Sequence, residues 1–300
     1  MGFERAPFTI VELNCENLFD TIHDDGKDDH EFLPTSERQW TRQRYWRKLN
    51  NIGRTILSST SGDHLPDLVA LVEVENDTVM HDLTHRSLLR EAGYEYILTN
   101  SDDERGIDVA LLYQPYSFRI IDTLTISFPA TRSVLFVRGE RLQGDTLGIF
   151  ILHMPSRRGD NASRKQLRQD IAQAIITHSP TDENIIVLGD FNDYADGRVI
   201  RSFLDAGFIH ASKDAMPRGD KRATGTYKFR GHWGSLDHIL MRGNICQHLS
   251  SCFINASSFL LMEDRNGEVT PRRTYRGTFY QEGYSDHLPL VLELTTNQKP

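Results

Sequence analysis

The fold class is decided by the segment Ile185-Ile186-Val187-Leu188-Gly189-Asp190-Phe191-Asn192-Asp193. Four apolar residues run into a glycine and then into acidic and amide side chains, a pattern typical of a buried strand that ends in a polar turn. Ligands of open α/β sheets bind beyond the strand ends, so this turn lies where chemistry usually takes place. The same side chains also favour an ordinary Asx turn. The segment alone leaves both interpretations open.

Other apolar strands are also predicted to end in polar side chains. The segments 8–13, 67–72 and 147–152 run into Asn14, Glu73 and His153, Asp237 lies in segment 235–241, and Asp286 and His287 precede segment 288–294. Each side chain has an ordinary explanation as a turn former, a cap or a satisfied histidine. Their recurrence at strand ends, together with Asp190 and Asn192, favours one shared site. Carboxylate and amide oxygens are ligands that Mg²⁺ prefers.

Helical spacing of apolar residues predicts helices between these strands. They cover about 37–58, 78–92, a segment that begins at a capping box formed by Ser163 and Gln166, and 198–206. The basic residues of helix 37–58 are interpreted as its solvated face. Strands and helices alternate, which predicts an α/β domain with mixed sheets. We expect a single domain over residues 1–300, because no linker or repeat marks a boundary.

Composition argues against several classes of protein. Three cysteines are too few for a disulfide framework and lack the spacing of zinc ligands. A net charge of -8 argues against a protein that coats nucleic acid, although a local basic groove stays compatible with it. No apolar run approaches the roughly 20 residues of a membrane helix. We expect a monomer without a membrane span, cytoplasmic unless a leader was removed and otherwise secreted or periplasmic.

The order of these motifs resembles the endonuclease/exonuclease/phosphatase superfamily, which includes deoxyribonuclease-like nucleases, sphingomyelinases and inositol-polyphosphate phosphatases. The matching pieces are Leu13-Asn14, Leu71-Val72-Glu73, the His153 segment, Gly189-Asp190-Phe191-Asn192, Ser235-Leu236-Asp237-His238 and Ser285-Asp286-His287. The segment that begins at His153 is also similar to uncharacterised bacterial members. The resemblance implies a four-layer α/β sandwich, with two central mixed sheets packed face to face and flanked by helices. It further implies metal-dependent hydrolysis of a phosphate ester.

The resemblance also implies roles for individual residues. Glu73 would be the main ligand of Mg²⁺, or of Mn²⁺ in its place, with Asn14 and Asp286 in the same metal shell. Asp190 would hold and deprotonate the attacking water, and Asn192 would help to orient it. His287, aligned by Asp237, would contact the phosphate, and His153 would donate to a phosphoryl or leaving oxygen. These donors would offset the negative charge that repels hydroxide from a phosphodiester.

Two positions next to these motifs are less well defined by the resemblance. Glu16 stands where some family nucleases carry an aspartate, and its longer side chain puts a metal contact in doubt. His238 follows Asp237 directly, so on a strand it is expected to point to the opposite face and to be structural.

Basic and aromatic side chains bear on the choice of substrate. Arg157 and Arg158 follow His153 in a loop and are predicted to bind substrate phosphates. Arg164, Lys165 and Arg168 are interpreted as a solvated helix face, while Tyr227, Phe229 and Trp233 favour either base stacking or the core. We expect a phosphodiesterase or nuclease whose partner is a phosphate ester, including DNA or RNA. The alternatives are an inositol-phosphate-type phosphatase, a sphingomyelinase-like lipid phosphodiesterase and a non-catalytic binding protein.

Overall fold

The computed structural model describes residues 6–60, 64–157, 159 and 161–296. In this part of the chain the strands are β1 (Phe8–Leu18), β2 (Leu68–Val74), β3 (Glu95–Leu98), β4 (Asp108–Tyr113), β5 (Phe118–Ile126), β6 (Val134–Arg141), β7 (Thr146–His153), β8 (Ile185–Asp190), β9 (Ile209–His210), β10 (Met216–Gly219), β11 (Tyr227–Phe229), β12 (His232–Gly234), β13 (Asp237–Arg242), β14 (Leu249–Ala256), β15 (Leu261–Glu263), β16 (Val269–Pro271), β17 (Tyr275–Arg276), β18 (Phe279–Tyr280) and β19 (Leu290–Leu294). The α-helices are α1 (Arg42–Leu57), α2 (Asp77–His81), α3 (Ala162–His178) and α4 (Arg198–Asp205). None of these helices is long and apolar enough to cross a membrane.

Two large sheets dominate the described residues. One has seven strands in the order β10-β14-β19-β1-β2-β4-β3, and the other has six in the order β5-β6-β7-β8-β13-β9. Both are mixed, because β1 and β2 run parallel, as do β7 and β8, whereas β1 with β19 and β8 with β13 run antiparallel. The strands that carry the predicted site are therefore neighbours within each sheet.

The sheets pack face to face around a shared apolar core. Ile10 and Val72 of one sheet belong to the same buried cluster as Ile149 and Leu188 of the other. The outer face of the first sheet packs on α1, and the outer face of the second packs on α3 and α4. Burial of each large apolar side chain contributes about 1.5–3 kcal/mol. This is the four-layer α/β sandwich that the motif order predicted.

The predicted helix over 37–58 begins five residues later than expected, at Arg42. Gln39 has a left-handed φ of 49°, and the Trp40 N–H donates to the Leu33 carbonyl, so the preceding residues form a turn. The predicted helix over 78–92 is also shorter. It ends at His81 and continues only as a π-helical segment, Asp82–Arg86. The Leu88 N–H then donates to Asn50 of α1, a tertiary contact that takes the chain out of the helix.

The predicted capping box at Ser163 and Gln166 is wrong. The N-cap of α3 is Asn161, whose side-chain oxygen accepts the N–H of Arg164 at 2.9 Å. Asn and Ser are comparably good N-caps, so composition alone did not distinguish the two starting points.

Candidate active site

The polar strand ends of the two sheets meet at one edge of the sandwich. In the second sheet, His153 of β7 and Asp237 of β13 are the register partners of Asp190 of β8. In the first sheet, Asn14 of β1 lies beside β2, and its side-chain amide donates to the Asp190 carboxylate at 3.3 Å. This contact joins the two sheets at the predicted site, as does the 3.7 Å contact between His153 of β7 and Glu73 of β2.

Asp237 and His287 form a buried pair. The His287 Nδ1 lies 2.7 Å from the Asp237 Oδ2, which also accepts the Thr226 hydroxyl at 2.5 Å. Burial by itself would lower the pKa of His287, but the carboxylates of Asp237, Asp286 and Asp190 raise it well above its ordinary value. His287 is therefore an imidazolium at neutral pH. Its Nδ1–H is directed to Asp237, which leaves the Nε2–H for a substrate oxygen.

Asp190 is held by the turn that follows it. Its Oδ1 accepts the backbone N–H of Asn192 at 2.8 Å, and the carboxylate is 2% exposed. Burial, and then the nearby charge of Asp237, raise the pKa of Asp190 to about 7. A carboxylate with this pKa is matched to a general base at neutral pH. The backbone N–H of Asn192 thus orients the Asp190 carboxylate. The side-chain amide of Asn192 donates elsewhere, to the Met154 carbonyl at 2.9 Å.

His153 lies between two carboxylates. Its Nε2 is 3.7 Å from both Glu73 and Asp190, and its buried Nδ1 has no hydrogen-bond partner among the described residues. Burial, and then the charges of Arg132 and Arg105, lower the pKa of His153 well below its ordinary value. His153 is therefore neutral at neutral pH, and it offers one N–H donor to an anionic oxygen.

The loops that carry Asn14 and Glu73 have unusual backbone conformations. Glu16, Asn17 and Glu73 all have left-handed φ values, of 49°, 56° and 62°. The Asn17 N–H donates to the Glu73 Oε2 at 2.8 Å, which fixes that carboxylate. Left-handed backbone at residues other than glycine costs on the order of 1 kcal/mol each and concentrates at functional sites. The strain therefore supports the assignment of Glu73 to the site.

Asp286 belongs to an ion-pair network that sequence reasoning missed. Asp286 forms a close ion pair with Arg273, whose Nε also lies 3.6 Å from Glu16. The Glu16 carboxylate accepts the Thr274 N–H at 2.6 Å and lies 3.8 Å from the Lys48 Nζ. Lys48 is 1% exposed, so the interpretation of the α1 basic residues as a solvated face is wrong for this one. Glu16 thus holds Arg273 beside Asp286.

Glu12 also belongs to the site, and sequence reasoning missed it. It is fully buried, and neither carboxylate oxygen has a hydrogen-bond partner among the described residues. Burial, and then the nearby Asp237, raise its pKa well above the ordinary value, which favours the neutral acid. The available signal was its spacing of two residues from Asn14, which puts both side chains on one face of β1.

The donor set fits a hard divalent cation. Carboxylates outnumber cations at this edge, and the raised pKa values of Asp190 and Glu16, both about 7, reflect burial and uncompensated negative charge. Asp190, Asp237 and His287 place their donor atoms within 4.8 Å of one another. This group differs from the three ligands predicted for the metal. Two of its donor atoms, the Asp237 Oδ2 and the His287 Nδ1, are already hydrogen-bonded to each other. The assignment of the metal to Asn14, Glu73 and Asp286 stays a prediction.

The predicted substrate-binding arginines lie at the rim or outside the described residues. Arg157 is exposed, 3.8 Å from the Asp193 carboxylate, with its guanidinium 4.7 Å from the Tyr194 ring centroid. Arg158 lies outside the described residues. Arg168 was expected to be solvated, but it is buried and donates to the Pro155 carbonyl at 3.1 Å. Arg168 therefore supports the loop that follows His153.

His238 points away from the cluster, as expected from strand alternation. Its Nε2 lies 2.9 Å from the Asp193 carbonyl oxygen, and its Nδ1 lies 3.1 Å from the His210 ring. Its ring packs at an angle against Phe191. His238 is thus part of the apolar outer face of the second sheet.

Comparison with known proteins agrees with the fold described above. A sequence model described as the Endonuclease/Exonuclease/phosphatase family matches residues 9–296. No curated protein sequence matches significantly. A Bacteroides thetaiotaomicron protein of that family is structurally similar, with a TM-score of 0.64 and 15% identity over 97% of this chain and 98% of the other. The mannosyl-6-phosphatase of Bacteroides thetaiotaomicron gives 0.59 and 17% over 96% and 99%, and the human Nocturnin catalytic domain gives 0.59 and 17% over 98% and 94%.

Proposed function

This chain belongs to the Endonuclease/Exonuclease/phosphatase family of metal-dependent phosphoester hydrolases, and from that premise we propose that it is a Mg²⁺-dependent phosphodiesterase of nucleic acid or nucleotide diesters. The observation that carries the proposal is the position of Asp190, a base whose pKa is about 7, next to the imidazolium of His287. Their donor atoms lie within 4.8 Å of each other. A base and a cationic donor at this spacing suit hydrolysis at phosphorus.

The side chains divide the proton transfers between them. Asp190 takes a proton from the attacking water as the water oxygen bonds to phosphorus. His287 donates Nε2–H to a non-bridging oxygen, where negative charge develops. The ester P–O bond then breaks, and the leaving oxygen, stabilised by the neutral N–H donor of His153, takes a proton from solvent water while Asp190 releases its proton to the solvent. The bound cation, held by Glu73 with Asn14 and Asp286, would supply further stabilisation of charge on the phosphoryl group.

Aromatic side chains support a diester that carries a base. Tyr227 packs against the His287 ring with centroids 4.8 Å apart, and Phe229 lies next in the row at 6.5 Å, nearly parallel to Tyr227. Phe229 is 52% exposed, so its ring is available for stacking. Stacking of a base on an aromatic ring contributes about 1–3 kcal/mol. This row extends from the catalytic histidine to the solvent.

A phosphomonoesterase is the second candidate. A structurally similar protein is a mannosyl-6-phosphatase, and the net charge of -8 disfavours long polyanions as substrates. Phosphate release from sugar phosphates, without cleavage of diesters, would favour this candidate.

The test is a substrate panel with Mg²⁺, with Mn²⁺ and with chelator. Single-stranded DNA, RNA, a chromogenic phosphodiester and sugar phosphates are incubated with the wild type and with Asp190→Asn. The matched control is Asp182→Asn, an exposed aspartate near the opposite end of β8. We expect diester cleavage that needs the metal, survives in Asp182→Asn and is lost in Asp190→Asn. Absence of diester cleavage with either metal contradicts the proposal, and full activity of Asp190→Asn contradicts the assigned base.

A further inference from the structure

The loop that follows β1 carries a second group of metal-ligating side chains, outside the candidate active site. His23, Asp29 and His30 place one donor atom each within 4.8 Å of one another. We propose that these three side chains form a second metal site, which binds a borderline-soft divalent cation of the Zn²⁺ class.

The contacts within the group bring the three potential ligands together. The His23 Nδ1 lies 2.5 Å from the Asp29 Oδ1, and the His23 and His30 rings stack with centroids 4.4 Å apart. The His30 ring thus lies against the His23 ring, near the Asp29 carboxylate. A cation takes the place of the proton that His23 and Asp29 share, and His30 supplies the third ligand. At the bond lengths of Zn²⁺ to His nitrogen and Asp oxygen, about 2.0–2.2 Å, two ligands of a tetrahedral ion lie roughly 3.3 Å apart, so the His23 Nδ1 and the Asp29 Oδ1 move apart from 2.5 Å as the ion enters.

The loop holds its ligands in place before any ion binds. Asp29 is 1% exposed, and its second oxygen accepts the Asp24 N–H at 2.7 Å. The Lys27 Nζ donates to the carbonyls of Ser101 and Asp103 at 3.1 and 2.9 Å. A carboxylate fixed in this way orients both of its partners, and a preorganised site loses less entropy on binding.

The surroundings favour a cation. The loop from Asp20 to His30 carries five aspartates, at positions 20, 24, 25, 28 and 29, against the single lysine Lys27. The potential in this loop is therefore negative. Imidazole ligands favour zinc, nickel and copper over magnesium, which prefers oxygen. The proposed site thus differs in metal class from the active site, whose predicted ligands are all oxygen donors.

The chain offers a matched control for this proposal. His81 and His85 are a second stacked histidine pair, with ring centroids 4.7 Å apart. No carboxylate joins them within the described residues, and the His85 Nδ1 lies 2.7 Å from the Thr84 hydroxyl. This pair supplies at most two ligands, so it should bind Zn²⁺ far more weakly than the three-ligand group.

The experiment titrates Zn²⁺ into the full chain by calorimetry, with excess Mg²⁺ present to compete at the oxygen-rich active site. We expect the double variant His23→Ala/His30→Ala to lose one equivalent of Zn²⁺, or to bind it at least 100-fold more weakly, while His81→Ala/His85→Ala binds as the wild type. Both pairs are accessible to solvent, so folding should survive. Co²⁺ gives a second readout, since its visible absorption should decrease only in the first variant.

Unchanged Zn²⁺ binding in His23→Ala/His30→Ala would overturn the proposal, as would an equal loss in the control pair. Hydrolysis with Mg²⁺ should be the same in both double variants. The outcome of the zinc titration is therefore independent of whether the proposed phosphodiesterase activity is found.

Discussion

Two clusters of histidine and aspartate in this molecule each bring three donor atoms within 4.8 Å of one another, and they differ in burial. Asp190, Asp237 and His287 are all buried, whereas His23 and His30 are exposed around the buried Asp29. In the first cluster, carboxylates lack enough donors, since the Asp237 Oδ1 has no hydrogen-bond partner within the described residues. In the second, Asp29 accepts from two partners. Buried carboxylates that lack hydrogen-bond donors have the shifted pKa values that catalysis uses. A carboxylate with its hydrogen bonds satisfied, beside exposed histidines, suits an ion that is bound for stability.

The largest expected effect is on hydrolysis. His287→Ala should lower kcat by about 100-fold to 1000-fold, because it removes a donor to the charge that develops on the phosphate. His30→Ala, in the surface cluster, should leave kcat unchanged. Steady-state kinetics of both variants with the same diester checks the comparison. Equal rates for His287→Ala and the wild type would remove the buried cluster from the chemistry.

The pH dependence of kcat/KM should report the buried cluster. Asp190 acts as a base only when it is deprotonated, and its pKa is about 7, so kcat/KM should fall about tenfold per pH unit below that value. At higher pH, activity should persist until His287 loses its proton, well above the ordinary histidine pKa. A pH profile of the wild type and of His23→Ala/His30→Ala should show the same acidic limb. An acidic limb that moves in the surface variant would show that the clusters are coupled.

Asp190→Asn and Asp29→Asn should change the free energy of unfolding in opposite directions. The folded pKa of Asp190, about 7, exceeds the unfolded value near 3.8, so the folded state binds more protons and wild-type stability falls as pH rises from about 4 to 7. Asp190→Asn removes this effect and should raise the free energy of unfolding at pH 8 by about 1–4 kcal/mol. Asp29→Asn weakens the hydrogen bonds that the Asp29 carboxylate accepts, and it should lower the free energy of unfolding by about 1–3 kcal/mol.

Denaturant unfolding of both variants in chelator, at pH 5 and pH 8, measures this difference. The gain from Asp190→Asn should be smaller at pH 5 than at pH 8, because the folded wild-type carboxyl is then protonated and pH 5 lies only about one unit above the unfolded pKa near 3.8. Destabilisation by Asp190→Asn at pH 8 would contradict the burial argument.

The contrast between the clusters also shows what the sequence could predict. Strands with continuous apolar runs were located within one or two residues, as at β8 and β7, and their polar ends converge because neighbouring strands end at one edge. Contacts between distant segments were not predictable. Glu16 meets Thr274 across 258 residues, and Lys48 meets Thr274 across 226, and no spacing rule reports such pairs. The burial of Lys48 followed from those partners, whereas helical periodicity assigned it to the solvent.

The surface cluster escaped sequence analysis for a related reason. His23, Asp29 and His30 lie in a polar loop without periodicity, and their spacing matches no zinc motif. The loop brings them together through Lys27, whose contacts with Ser101 and Asp103 lie more than 70 residues away. Function at strand ends can be anticipated from periodicity, while a site inside an irregular loop depends on tertiary anchors.

Zinc should also stabilise the folded chain against heat. A ligand that binds only the folded state at 100 times its dissociation constant adds about 2.7 kcal/mol, which corresponds to a Tm increase of roughly 4 °C for a chain of this size. The wild type and His81→Ala/His85→Ala should show this increase with Zn²⁺ in excess Mg²⁺, and His23→Ala/His30→Ala should not. Since Asp29 anchors the loop beside the ends of β1 and β2, the ion should stabilise the fold without changing kcat. A zinc-dependent change in kcat that disappears in His23→Ala/His30→Ala would instead make the surface cluster a regulator of the buried one.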